Sequence, residues 1–355
     1  MSQVPKTGHK IALDCMGGDL GPSEAIAAAA LAIKEGVLGP ADTLVLVGHE
    51  DNLRMLAMEH RGLRSPRVVF KHANSVVGSE DAAMTVLKSK RDSSMLVALD
   101  MLKAGEIEAV VSTGNTKALV AAGTIKLRTM EGAERPSLAA IMPRNEGHFI
   151  LLDVGANPEA TPEQLVHNAI LGSIYAECSL GVTQPRVGLL TVGTEEGKGG
   201  ARINRTHQLL KALGDQINYV GPIEGFDVWG NSCDVVITDG FTGNVILKTL
   251  EGLIYMLRDL IGSKVKRNPV YLAGGIAMFP LLRDLKGKLK PEKYGGAPLL
   301  GLNGLVMKAH GSSNRHGIVS AIRLGLEALE HGAGRRMQTA LLAANQTISQ
   351  TPPEN

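Results

Sequence analysis

The chain has 355 residues, a formal net charge of +2, 44% apolar residues and only 3% aromatic ones. So balanced a charge, with no interleaving of basic and aromatic residues, gives no footprint for nucleic acid. Cys15, Cys178 and Cys233 are spaced too widely for a zinc site or a disulfide frame, and no stretch is long and apolar enough to span a membrane. With a polar N-terminus lacking a signal segment, the expectation is a cytoplasmic protein in a reducing compartment.

In chain order, Lys10 to Asp14 reads as a first strand, ending in Cys15-Met16-Gly17-Gly18-Asp19 before a helix with Pro22 in its first turn. Thr43 to Gly48 and Val68 to Phe70 are strand-like, with a helix over Asn52 to His60 between them. Ser94 to Lys103 predicts a helix that leads into a Val110-Val111 strand end and the turn Ser112-Thr113-Gly114-Asn115-Thr116. Such βαβα alternation implies a mostly parallel sheet covered on both faces.

Ala139 to Met142 and Phe149 to Leu152 are spaced for an antiparallel hairpin. The second strand ends in Asp153-Val154-Gly155-Ala156-Asn157, and a helix capped by Thr161 follows from Pro162 to Leu180. Val187 to Val192 is a buried strand running into Gly193-Thr194-Glu195-Glu196-Gly197-Lys198. That loop lacks Walker A spacing, and the dinucleotide fingerprint, GxSxG and HExxH are all absent. An NTPase and the commonest hydrolases are excluded, and neither a cofactor nor a metal is expected.

Val235 to Ile237 predicts a further strand, followed by the turn Asp239-Gly240-Phe241-Thr242-Gly243-Asn244 and a helix from Val245. Near the C-terminus, Val306-Met307 leads into Lys308-Ala309-His310-Gly311-Ser312-Ser313-Asn314 and a helix from about Ile318. Three polar, glycine-bearing strand ends before helices suit a phosphate or carboxylate, because helix starts present backbone N–H groups. Ordinary βα turns use the same residue types. From Leu257 to Lys293 nine basic residues face three acidic ones among apolar residues. This reads either as a solvated helical pair or as a surface for an acidic partner or anionic membrane. One domain over residues 10–332 is expected, with residues 257–293 a helical hairpin and residues 333–355 a frayed tail.

Taken in order, LDCMGGDLGP (13–22), STGNTKAL (112–119), RPSLAAIMP (135–143), LLDVGANPEATPEQLVHNAILGS (151–173), RVGLLTVGTEEGKG (186–199), DVVITDGFTGNVILKTLEG (234–252), YGGAPLLGL (294–302) and KAHGSSN (308–314) carry a resemblance. The chain resembles the bacterial phosphate acyltransferases of phospholipid synthesis over Ile11 to His331. The resemblance implies a three-layer α/β/α sandwich, similar to isocitrate and isopropylmalate dehydrogenases and to phosphotransacetylase. It implies a homodimer that takes a fatty acyl group from acyl carrier protein and gives it to inorganic phosphate. A membrane glycerol-3-phosphate acyltransferase would consume the acyl phosphate, so peripheral membrane contact fits. Two positions depart from the family, which usually has alanine at Cys15 and glycine at Lys117.

On that resemblance, phosphate is expected near Gly114, Asn115 and Thr116 and near Thr242, Gly243 and Asn244, with Lys198 as a counter-charge; Lys198 and Asn244 are catalytic candidates, and Lys117 either adds a charge for phosphate or shifts its turn. His310 is the candidate to protonate or orient the departing thiolate. Asp14, Asp153 and Asp239 end strands; they either bind substrate or orient loop amides. Gly17, Gly18, Asp19, Gly155, Asn157, Gly193, Thr194, Glu195, Gly240, Gly311 and Ser312 complete the expected substrate-binding set. Cys15 has no activating base near it in sequence, which disfavours an acyl relay. Two rival enzyme readings share the architecture: a short-chain phosphotransacylase using acetyl- or butyryl-coenzyme A, and a metal-dependent β-decarboxylating dehydrogenase. The dehydrogenase would need an arginine clamp and clustered metal-binding aspartates, neither of which is evident. A non-catalytic adaptor would have no need of three such turns.

Overall fold

A computed structural model describes residues 8–193, 198–267, 269–281, 283 and 296–352. Its strands are β1 (Lys10–Asp14), β2 (Thr43–Gly48), β3 (Val68–His72), β4 (Ala109–Ser112), β5 (Ser137–Pro143), β6 (His148–Leu152), β7 (Val187–Thr191), β8 (Tyr219–Glu224), β9 (Val235–Ile237), β10 (Ala297–Leu300) and β11 (Leu305–Lys308). They form one sheet in the order β3-β2-β1-β4-β11-β10-β5-β6-β9-β7-β8. The helices are α1 (Gly21–Lys34), α2 (Glu50–Ala57), α3 (Ala83–Ser89), α4 (Ser94–Lys103), α5 (Thr116–Leu127), α6 (Pro162–Leu180), α7 (Gly200–Ala212), α8 (Gly240–Arg267), α9 (Pro269–Ala277), α10 (Arg315–Glu330) and α11 (Ala333–Gln350).

Alternation along the strands divides the core between the two faces of the sheet. Ile11, Leu13, Leu44 and Leu46 face α1, α6, α10 and α11, whereas Ala12, Val45 and Val47 face α4 and α5. Helices therefore cover both faces, and the three-layer sandwich follows. The predicted β5–β6 hairpin is antiparallel with Ala139 opposite Leu152. Thr161 caps α6 through a capping box with Gln164.

The sheet consists of two parallel blocks. Strands β3, β2, β1, β4 and β11 run together, as do β6, β9, β7 and β8. Strand β10 is antiparallel to both β11 and β5, and β5 to β6, so the second block runs against the first. The start of α8 packs on the loop after β6, and Lys248 and Glu251 farther along it act on His310 after β11.

Two expectations need correction. Residues 239–244 do not form a separate turn, because α8 already begins at Gly240, with Asp239 accepting from the Thr242 N–H at 2.8 Å. Nor is the segment after residue 332 frayed throughout: Ala333 to Gln350 is α11. Met337, Leu341 and Ala344 share one face and are buried against α6, and Asn345 bonds His167 at 2.7 Å. Leu341→Ala should lower the unfolding free energy by about 2–5 kcal/mol in a denaturant titration, as for other fully buried leucines. A frayed segment would show no change.

Candidate active site

The first block brings the ends of β1, β4 and β11 side by side. Asp14 is buried at the end of β1, where its carboxylate accepts from Ser112 Oγ at 2.7 Å and from the Met16 N–H at 3.2 Å. Ser112 Oγ also accepts from the Gly114 N–H at 3.1 Å, so the two loops are built as one unit. Their backbones touch: a Cβ at Gly17 would lie 2.7 Å from Gly114 Cα, and one at Gly18 would lie 2.7 Å from Thr113 Oγ1. The third loop joins through the Asp19 N–H, which donates to Gly311 O at 2.9 Å. Glycine is required at these positions for close approach rather than for turn geometry.

In the second block Asp153 is fully buried at the end of β6. One oxygen accepts from the N–H groups of Leu138, Gly155 and Ala156 at 3.0 Å each, and the other from Asn157 at 2.6 Å. Burial pushes its carboxyl pKa up while these four donors oppose the shift. The start of α8 packs on this loop so tightly that a Cβ at Gly243 would overlap the Asp153 carbonyl. Burial raises the Asp239 pKa, but bonds from Thr242 and from Arg202 at 2.6 Å outweigh it and hold it below the ordinary value. Asp14, Asp153 and Asp239 all turn inward and orient loop amides.

Helix α8 links the two blocks. Lys248 lies eight residues after Gly240, about 12 Å along the axis, and pairs with Glu251 at 2.8 Å. Both charges act on His310 in the loop after β11. His310 Nδ1 accepts the Ser312 N–H at 3.2 Å and lies 2.8 Å from Ser312 Oγ. Because a backbone N–H only donates, Nδ1 carries the lone pair and the neutral ring holds its proton on Nε2. Partial desolvation, reinforced by Lys308 and Lys248, lowers the His310 pKa against the opposing pull of Glu251 and Asp19. His310 is therefore a neutral hydrogen-bond donor near pH 7, not an imidazolium acid.

Of the three turns expected to offer backbone N–H groups, two use theirs on the protein itself. At α8, Gly240 donates to Asn157 O, Thr242 to Asp239 and Gly243 to Asp239 O, so these amides do not hold an anion. Before α10, Ser312 donates to His310, Ser313 to its carbonyl, and His316 and Gly317 to Asn314 Oδ1. The start of α5 differs. Asn115 Oδ1 caps only Ala118, while its amide nitrogen grips the carbonyls of Gly78, Ser79 and Asp81. Asn115 thus fixes the loop at the start of α5, where the first backbone N–H groups, at Thr116 and Lys117, have no partner within the helix. Lys117 is exposed there; Asn244 is also exposed, packed over Gly155.

Other expected residues lie apart or beyond view. Gly193 is buried after β7, and Lys198 is exposed, its carbonyl accepting from Thr191 Oγ1 at 3.4 Å. Thr194 and Glu195 lie outside the described residues. Cys15 is buried beside Asp14, and burial and that carboxylate together push its thiol pKa far up, which disfavours a nucleophilic thiolate. The sequence reading missed Lys308, the last residue of β11. It is only 6% exposed and donates to the carbonyls of Thr113 and Ala309. Its position at the end of the apolar run Leu305-Val306-Met307 was the available signal. An apolar cavity lined by Met130, Leu302, Leu305 and Met337 lies at the opposite end of β11, away from these groups. Among the described residues no cluster suits a metal ion and no helix is long and apolar enough to cross a membrane.

Comparison with known proteins matches residues 9–336 to a family described as "Fatty acid synthesis protein". A "Phosphate acyltransferase" of Desulfitobacterium hafniense is 40% identical over 324 residues, covering 91% of this chain and 95% of that one. A "Phosphate acyltransferase" of Aeromonas salmonicida is 41% identical over 322 residues, covering 90% and 93%. In fold the chain is similar to a phosphotransacetylase from Streptococcus pyogenes, with a TM-score of 0.62 at 16% identity, covering 92% and 95%.

An exposed lysine at a helix start adds a modest, salt-sensitive attraction to a bound anion. Lys117→Gly should weaken inorganic phosphate binding by about threefold in low-salt calorimetry, with the difference erased by high salt. Equal affinities at low salt would assign Lys117 to solvent.

Proposed function

From the premise that this chain belongs to the phosphate acyltransferase family and is an acyltransferase, we propose that it moves a long-chain fatty acyl group from acyl carrier protein to inorganic phosphate. The carrying observation is the placement of STGNTK, DVGAN and KAHGSSN at the ends of β4, β6 and β11, with TDGFTGN joining the end of β9 to the start of α8. Phosphate is already a nucleophile near neutral pH, so the protein's task is to hold it against the thioester carbonyl. Positioning alone supplies several kcal/mol, up to about 7–11 in ideal cases.

In this reading phosphate sits at the α5 start with Lys117, and one of its oxygens attacks the thioester carbon. The C–O bond forms, charge moves to the carbonyl oxygen, and collapse of the tetrahedral species breaks the C–S bond and releases the carrier thiolate. His310 Nε2–H is the side-chain donor for the developing oxyanion, and such donors are worth about 2.7–4 kcal/mol elsewhere. This replaces the thiolate-protonating role, because the pKa of His310 is depressed. Thr242, Asn244 and Lys198 remain candidates for contacts to the donor's arm.

The acyl phosphate product suits a membrane glycerol-3-phosphate acyltransferase in phospholipid synthesis. Helices α8 and α9 expose Met256, Leu260 and Tyr271, and Phe279 beyond α9 is exposed too, a surface that supports contact with carrier protein, a second copy or a membrane. Exposed Arg258, Lys264 and Arg283 add positive charge there, whereas Lys286, Lys288, Lys290 and Lys293 lie outside the described residues.

Initial rates with palmitoyl-carrier protein and phosphate both varied should give intersecting lines, as direct transfer in a ternary complex requires. Reversing Lys264, Lys286 and Lys288 to glutamate should raise the carrier-protein KM and leave the phosphate KM unchanged. Parallel lines would reject direct transfer. Faster turnover of acetyl-coenzyme A than of palmitoyl-carrier protein would favour the short-chain reading.

A further inference from the structure

Lys308 is the one buried lysine among the described residues, and it lies where β1, β4 and β11 end together. It ties the loop after β4 to the loop after β11 by donating to Thr113 O and Ala309 O. A trans peptide directs its N–H opposite to its C=O, so drawing Ala309 O toward the ammonium turns the His310 N–H away from it. The same bond therefore sets the backbone from which the His310 ring projects.

Loop tying alone does not account for a charge at this position. Burying an ammonium costs several kcal/mol, and two neutral carbonyls do not cancel it. The surrounding charges are mixed. Asp14 on the neighbouring strand and Asp19 before α1 favour the ammonium, whereas Lys248 on α8 opposes it, and His310 follows one residue later. Asp14 is itself engaged by Ser112 and Met16. A dianion at the α5 start, beyond Thr113, would complete the balance.

We propose that Lys308 is a positioning residue of the acyl-transfer site, holding the loops after β4 and β11 in register and setting a fixed positive charge beneath the phosphate. The inference rests on the acyl-transfer reading above. Burial is the leading cause that pushes the Lys308 pKa down to about 8, with Asp14 and Asp19 opposing. The sign is then determined: below about pH 8 the ammonium is present and phosphate binds, and above it the charge is lost and binding weakens. Inorganic phosphate only gains dianion character as the pH rises past 7, and the lowered pKa keeps His310 neutral, so neither supplies the alkaline limb.

Phosphate affinity of the full chain, measured by calorimetry from pH 7 to 9.5, tests this. Wild type should lose affinity on the alkaline side of about pH 8. Lys308→Met should bind phosphate about tenfold more weakly at neutral pH, the effect of losing one partly screened charge, with no alkaline limb. Lys308→Arg should restore much of the affinity, also without the limb, because guanidinium does not titrate there. Lys248→Met should keep the limb, separating the two lysines. Wild-type affinity and limb in Lys308→Met would overturn the proposal. If that variant does not fold, a pH-independent wild-type affinity overturns it instead. Phosphate binding with the expected limb but no acyl phosphate from any acyl donor would reject the acyl-transfer reading while leaving the placement of Lys308 intact.

Discussion

The site depends on strand-end carboxylates that point into the protein. Asp153 binds four backbone N–H groups and thereby sets the loop on which α8 begins; Asp14 binds Ser112 and Met16 and sets the loop beside α5. A buried carboxylate is costly unless its oxygens are satisfied, so each locks its surroundings into the one arrangement that satisfies it. Glycines then let the locked loops touch, Gly17 against Gly114 and Gly243 against Asp153. The acids themselves are buried and spent on the protein's own donors.

This division of labour suits an anionic nucleophile. A carboxylate facing phosphate would repel it, whereas amides at a helix start and a buried ammonium attract it without needing to reorganise. Helix α8 adds the geometric link. It starts on the second block of the sheet, and about two to three turns later its Lys248 and Glu251 act on His310 of the first. Helix α8 thus joins the Asp153 loop of one block to the surroundings of His310 in the other.

Much of the fold was legible because burial leaves periodic signals. The strand from Lys10 to Asp14, the β5–β6 hairpin and the Thr161 cap of α6 follow from short apolar runs, spacing and side-chain capping chemistry. Residues 239–244 misled because glycine, threonine and asparagine are poor helix formers. Asp239 nevertheless nucleates the first turn by capping Thr242, and packing on the Asp153 loop overrides propensity. Helix α11 was obscured by its many polar residues, although its alanines favour a helix and Met337, Leu341 and Ala344 repeat at helical spacing. The site was legible as positions but less so as roles. Nothing in a linear sequence tells whether a strand-end aspartate faces ligand or loop, and a lysine ending a strand reads as solvated until burial is seen.

The central claim is that the protein carries no acyl group of its own and that phosphate takes it directly from the thioester. Its most direct test follows the purified chain with palmitoyl-carrier protein, recording free thiol, acyl phosphate trapped by hydroxylamine, and the intact protein mass. The account predicts thiol and acyl phosphate in equal amounts only when phosphate is present, with an unchanged protein mass in its absence. A palmitoyl adduct formed without phosphate and discharged on its addition, above all one abolished by Cys15→Ala, would contradict it.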